Sequence, residues 1–176
     1  MTGSVADLYH QYHASLVRML YRRTGDRERA EEIAQEVFAR AVTAMPRNPR
    51  PWLFAVALNL IREEGRTTAR RERRLVLYRA EQPAAAEPPD VVLARAERIE
   101  SVRAALSDLS PRDREALLLK AEGFSYDEIA ATVGLAPGAV GTTLARARKK
   151  LVEAYRAREG RTEGEGGGEN RRDAAS

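Results

Sequence analysis

Apolar residues recur at three- and four-residue steps along most of this chain, the period of amphipathic helices. Between about Ser4 and Arg23 the positions Leu8, Tyr12, Leu16, Met19 and Leu20 share one face. Thr24, Gly25 and Asp26 interrupt the pattern, and Asp26 suits the N-cap of a second helix running to about Ala44. Its buried stripe is Ala30, Ile33, Ala34, Val37, Phe38 and Ala41. Pro46, Pro49 and Pro51 in MPRNPRP predict an extended loop, because each fixes φ and turns its predecessor away from the α region. A third helix is expected from near Trp52, with Trp52, Leu53, Val56, Ala57, Leu60 and Ile61 inward. AEQPAAAEPP, between about Ala80 and Pro89, has little to bury and reads as a linker. Asp90 then caps a helix with Val92, Ala96, Ile99, Val102 and Leu106 inward, and Ser110–Pro111 opens another carrying Leu117, Leu118 and Leu119.

The most structured signal runs from Gly123 to Leu151, GFSYDEIAATVGLAPGAVGTTLARARKKL. Ser125 and Glu128 form an S-x-x-E capping box, so a short helix starts at Tyr126, with Ile129, Ala130 and Val133 on its buried side. Gly134 is placed as its C-cap. Pro137 suits the first position of a following helix whose core face is Val140, Leu144, Ala147 and Leu151. Gly138, Gly141, Thr142, Ala145 and Lys149 face outward, flanked by Arg146, Arg148 and Lys150. A helix packed by one short helix and free on its other side has the proportions for the DNA major groove; a plain helical hairpin with a solvated basic end is the simpler alternative.

The fold class is therefore all-α: two small helical domains joined by a flexible linker, the C-terminal one a helix-turn-helix. The expected boundaries are 1–79, a linker over 80–90, a second domain over 91–159, and a Gly- and charge-rich tail over 160–176 expected to be disordered. Such a linker implies that the two modules move relative to each other.

Composition sharpens this. The net charge is +4, and nearly all the cations are arginine, whose planar fork matches phosphate and base edges. The absence of cysteine excludes disulfides, thiolate zinc sites and a cysteine nucleophile, and is compatible with a reducing, cytoplasmic setting. No run of about 18 apolar residues is present and no signal-peptide pattern opens the chain, so membrane insertion is not expected. His10 and His13 share a helix, but no third histidine or cysteine completes a metal site. No phosphate-cradling glycine loop, catalytic triad or paired carboxylates appear, so neither an enzyme nor a cofactor is expected.

Two further faces carry chemistry. Glu31, Glu32, Gln35, Glu36 and Arg40 form the one strongly acidic surface of a basic protein, a dock for a basic protein partner if it is not simply solvated. Ala55, Asn59, Arg62, Arg66, Arg70 and Arg73 step by threes and fours into a cationic face that can track phosphates. Trp52 either belongs to the core or stacks on an unpaired base.

An acidic helix, a proline loop and a basic helix, followed by a linked helix-turn-helix, together resemble a bacterial sigma factor of the extracytoplasmic-function group, which keeps only regions two and four. AEEIAQEVFARA resembles that family's core-polymerase-binding helix, RPWLFAVALNLIREEGR its promoter-melting and minus-ten-reading helix, and the stretch from Gly123 to Leu151 its minus-thirty-five reader. The resemblance implies that Glu32, Gln35, Glu36 and Arg40 dock on core RNA polymerase. It implies that Arg47, Asn48, Trp52, Asn59, Arg62, Arg66 and Arg70 act at the minus-ten element of promoter DNA. At the minus-thirty-five element it points to Ser125, Pro137, Gly138, Gly141, Thr142, Thr143, Arg146, Arg148 and Lys149. The family's recognition helix usually has a small polar cap and two basic residues around a hydroxyl, whereas Ala136 stands at the cap here and Gly141, Thr142 and Thr143 precede Leu144. Weak minus-thirty-five recognition is the expectation. An anti-sigma partner is compatible with this reading; a free-standing helix-turn-helix regulator and a sigma-like interaction protein are its rivals.

Overall fold

The structure is a computed structural model that describes residues 4–74 and 90–165, with side chains described over 4–65 and 95–160. Seven α-helices and one short 3-10 turn make up these residues: α1 (Val5–Thr24), α2 (Arg27–Thr43), α3 (Pro49–Arg74), α4 (Asp90–Ser107), α5 (Pro111–Ala121), α6 (Tyr126–Val133), a 3-10 turn (Pro137–Ala139) and α7 (Val140–Glu165). Side-chain caps set several starts. Ser4 accepts from the Asp7 amide and Asp7 accepts from the Ser4 amide; Asp26 caps α2 through the Arg29 amide at 3.0 Å; Ser110 caps α5 through the Asp113 amide at 3.2 Å. The Ser125–Glu128 box opens α6, and Gly134 closes it in the left-handed region at φ 72°, where a Cβ would be strained.

Several boundaries differ from the sequence expectation. The proline loop is shorter than expected: α3 begins at Pro49, so Pro49 and Pro51 lie in its first turn rather than in an extended segment. The first amides of a helix have no intrahelical acceptor, so proline there forfeits no hydrogen bond; the first backbone bond of the helix runs from the Trp52 amide to the Asn48 carbonyl at 3.4 Å. The second helix of the helix-turn-helix starts as a 3-10 turn at Pro137 and becomes α-helical only at Val140. α7 continues to Glu165, past the expected end near Glu159. The expected linker over 80–90, apart from Asp90, and the tail beyond Glu165 lie outside the described residues.

α1, α2 and α3 form one helical layer, and α4 to α7 the other. The α2 stripe from Ala30 to Ala41 is wholly buried. Yet α3 has a wider buried arc than its expected stripe. Leu53, Ala57 and Ile61 are buried on it, but so are Phe54 and Leu58, which the sequence reading left out. Phe54 meets Phe124 edge-on at 4.7 Å between ring centroids, and a single buried cluster runs from Leu8 in α1 through α3 to Leu144 in α7. The modules are thus packed together rather than apart. α4 departs from expectation in the opposite sense. Ile99 and Val102 are exposed, at 48% and 38%, and Ala105 and Leu109 are the buried positions instead. The exposed stripe lines an open apolar groove with Tyr21 and Leu106, rimmed by Arg22, Arg95, Arg98 and Arg103, which α1 fills only in part.

Candidate nucleic-acid and polymerase interface

On α2, burial of one stripe leaves the opposite face to solvent. Glu32, Gln35, Glu36 and Arg40 are all exposed there, within three turns. Glu36 accepts from Arg40 Nε at 2.8 Å, and Arg29 bridges Glu32 and Glu64. Exposed pairs of this kind hold little energy and open readily to a competing partner. His10 is exposed, while His13 is half-buried, hydrogen-bonded to Glu31 at 2.9 Å and stacked on Tyr9 at 4.3 Å.

The candidate minus-ten residues fall in and after the short loop before α3. Arg47 and Asn48 are exposed on the loop; Trp52 is half-buried against the core; Asn59 is exposed one turn before Arg62. Arg62 is not free. Its Nε donates to Glu115 at 2.8 Å, its Nη2 to the second oxygen of the same carboxylate, and its Nη1 to Asn59 at 2.9 Å. The Glu115 bond is the main reason that the Arg62 pKa lies above the ordinary arginine value. Arg66 and Arg70 lie on α3, their side chains outside the described residues.

In the helix-turn-helix, the structure brings most of the candidate minus-thirty-five residues to one surface but removes two from it. Ser125, Pro137, Gly138, Thr142, Arg148 and Lys149 are exposed, and Gly141 is half-buried beside the Tyr126 ring. Thr143 is a correction: it is buried, at 4% exposure, because it sits one position before Leu144 on the side of α7 packed against the module. Arg146 is exposed but occupied. It grips Asp113 through Nη2 at 2.5 Å and Nε at 3.2 Å, with Lys150 adding a bond at 3.3 Å. The Asp113 carboxyl is held below the ordinary carboxylate range, chiefly by the Arg146 hydrogen bond and against the opposing effect of burial. Arg146 therefore ties α7 to α5 before it does anything else.

Sequence reasoning missed the surfaces that join the modules. Among the described residues, each ion pair between the modules runs from a cation on α1 or α3 to a carboxylate on α5, α6 or the turn between them. Arg18 and Arg22 converge on Glu122, at 2.6 and 2.7 Å, whose side chain is only 1% exposed. Arg50 donates to both oxygens of Glu128 at 3.2 Å and to the Glu122 carbonyl at 2.8 Å, and its guanidinium lies 4.1 Å from the Phe124 ring centroid. Burial raises the Glu128 pKa, but the Ser125 amide and Arg50 outweigh it and leave the carboxyl below its ordinary value. Phe54 and Phe124, apolar residues left over once each helix's own stripe was assigned, were the available signal.

Comparison with known proteins matches the same two modules. The family model for Sigma-70 region 2 covers residues 8–71, and that for Sigma-70, region 4 covers residues 99–151. The chain is 30% identical over 161 residues to the RNA polymerase sigma factor YlaC of Bacillus subtilis, spanning 84% of this chain and 90% of that one. It is 33% identical over 153 residues to the ECF RNA polymerase sigma factor SigL of Mycobacterium tuberculosis, spanning 82% and 84%. Among solved structures it resembles the sigma factor RpoE of Bartonella quintana, in complex with the anti-sigma factor NepR, with a TM-score of 0.61 at 25% identity over 85% of this chain and 97% of that one. It also resembles CnrH in complex with the cytosolic domain of CnrY, with a TM-score of 0.63 at 26% identity over 87% and 88%. This chain belongs to the extracytoplasmic-function group of RNA polymerase sigma factors. It is accordingly a factor that binds core RNA polymerase and directs promoter-specific initiation, region two serving the minus-ten element and region four the minus-thirty-five element.

Proposed function

We propose that the exposed α2 face of Glu32, Gln35, Glu36 and Arg40 docks this sigma factor on core polymerase, and that α3 and α7 divide promoter recognition unequally. The observation that carries this reading is the state of the cations. Arg146 is tied to Asp113 and Thr143 is buried, so of the candidate residues on α7 Thr142, Arg148 and Lys149 are left as polar contacts. Each phosphate contact adds roughly 0.9 to the salt exponent of binding, so few contacts mean weak duplex binding by region four. Region two then dominates. Arg47, Asn48, Trp52 and Asn59 stand near the start of α3, and Arg62, Arg66 and Arg70 follow along it.

In the packed arrangement Glu115 occupies Arg62. Promoter engagement exchanges that carboxylate for a DNA phosphate, so the modules separate on the polymerase. The protein acts by binding and has no catalysis of its own. Its site of action is the cytoplasm, where polymerase works, and no helix among the described residues is long and apolar enough to cross a membrane. The structural relative RpoE was solved with the anti-sigma factor NepR, which supports an anti-sigma factor as this chain's regulator.

The test is transcription by core polymerase plus this chain on a promoter selected from genomic DNA, with permanganate probing of unpaired thymines. Asn59→Ala is expected to retain core binding and lose minus-ten opening. Scrambling the minus-thirty-five element is expected to cost less than scrambling the minus-ten; equal loss from either contradicts the unequal division.

A further inference from the structure

Where the two modules meet, α1, α3, α5 and α7 enclose an open cavity of about 870 Å³ lined by Arg23, Arg62, Arg112 and Arg146, with Glu115 as its one lining carboxylate. That volume is typical of small-molecule sites. Glu115 is already committed to Arg62, and Arg146 uses Nε and one Nη on Asp113. Arg23 differs from the others. It is half-buried at the end of α1, and among the described residues no hydrogen bond or ion pair satisfies its guanidinium. A guanidinium carries five N–H donors and keeps its charge at physiological pH, so those of Arg23 face the solvent of the open cavity and are available to an anion that enters it. Burial, and then the like charge of Arg114, pull its pKa below the ordinary arginine value, and the nearby Glu115 carboxylate offsets them only in part. Arg114 offers no relief, since it donates to the carbonyls of Leu106, Ser107 and Leu109.

We propose that this inter-module cavity binds a small anion carrying two or more phosphate groups, with Arg23 as its principal anchor and Arg112 contacting the second phosphate from the other module. Arginine forks pair with phosphate bidentately, and two linked phosphates can reach guanidiniums borne on different helices where a single carboxylate cannot. Such a ligand bridges regions two and four, so it stabilises the packed arrangement by mass action. The phosphates could come from free oligophosphate or from a nucleotide. The test is separable from the promoter-reading proposal, because neither Arg23 nor Arg112 has a part in that machinery and the ligand is read in the free protein.

The test is isothermal titration of the full chain with sodium pyrophosphate at about 0.15 M salt, where loose surface attraction is screened, with adenosine diphosphate in a second arm. Saturable one-to-one binding is expected, weakened about tenfold by Arg23→Ala and unchanged by Arg156→Ala, an exposed arginine that does not line the cavity. Equal affinity for the two probes assigns recognition to the phosphates alone, and tighter diphosphonucleoside binding assigns a nucleotide. Without ligand, Arg23→Ala is expected to melt no lower than the parent, since among the described residues it removes no hydrogen bond or ion pair. Binding that does not saturate, or that is equal in Arg23→Ala and the parent, overturns the proposal; so does a lower ligand-free melting temperature for that variant, which would make Arg23 a structural residue.

Discussion

Asp113 shows how a single side chain decides what a recognition helix has left to offer. Its carboxylate is 1% exposed and accepts from Arg146 and Lys150, so removing its charge strands two cations as well as a cap-proximal contact. Asp113→Asn is expected to lower stability at neutral pH by about 1–3 kcal/mol, the range for hydrogen bonds to charged groups. Because the folded-state pKa is depressed, this stabilisation is present above the ordinary carboxylate range and is lost as pH falls through the folded value. Melting curves of parent and variant should therefore converge toward acid; a difference that stays constant to about pH 3 contradicts the pairing. Gly141 offers the opposite case. Its backbone is not left-handed, and an added Cβ would sit 3.6 Å from the Tyr126 ring, an ordinary contact. Gly141→Ala is expected to stabilise by about 0.5 kcal/mol, raising the melting temperature by a degree or two.

At the scale of the element, α3 explains both what sequence could reveal and what it could not. Its stripe of Leu53, Ala57 and Ile61 was legible because it follows one helical face, as were the Ser125–Glu128 box and the buried stripe of α2. Phe54 and Leu58 were not, because a helix that buries two adjacent faces shows no clean periodicity, and the partner of the second face lies seventy residues away at Phe124. The same holds for charge. Arg62 read as a DNA contact because spacing shows which residues share a face, not which carboxylate on a distant helix comes to meet them. Thr143 was misplaced for a simpler reason: next to Leu144 it lies within the buried arc, which is wider than the Val140–Leu144–Ala147 stripe alone. A double-mutant cycle between Arg62→Ala and Glu115→Ala tests the contact directly. Coupling of about 0.5–3 kcal/mol in thermal or denaturant melts is expected, and additivity contradicts it.

For the whole molecule, the two modules expected from the linker are present, but they share one buried cluster and are clasped by Arg18, Arg22, Arg50 and Arg62 against Glu115, Glu122 and Glu128. With the cation of each of these ion pairs on one module and its carboxylate on the other, the joint is firm at low salt and sensitive to competing polyanions, of which promoter DNA is one. A compact chain of this length has a radius of gyration of about 16 Å. Small-angle scattering should show the double variant Glu115→Gln/Glu122→Gln expanded relative to the parent, and no expansion contradicts an electrostatic clasp. In the function proposed above, opening exposes α3 for the promoter, whereas the α2 face proposed as the polymerase dock is already exposed in the packed form. Polymerase binding can therefore come first. The most direct measurement is co-elution of the full chain with purified core RNA polymerase, for the parent and for Gln35→Ala/Glu36→Ala. The parent should co-elute and the double variant should bind about tenfold more weakly, a loss of roughly 1.4 kcal/mol. Failure of the parent to co-elute, or equal binding by the variant, would contradict the assignment of the α2 face as the polymerase dock.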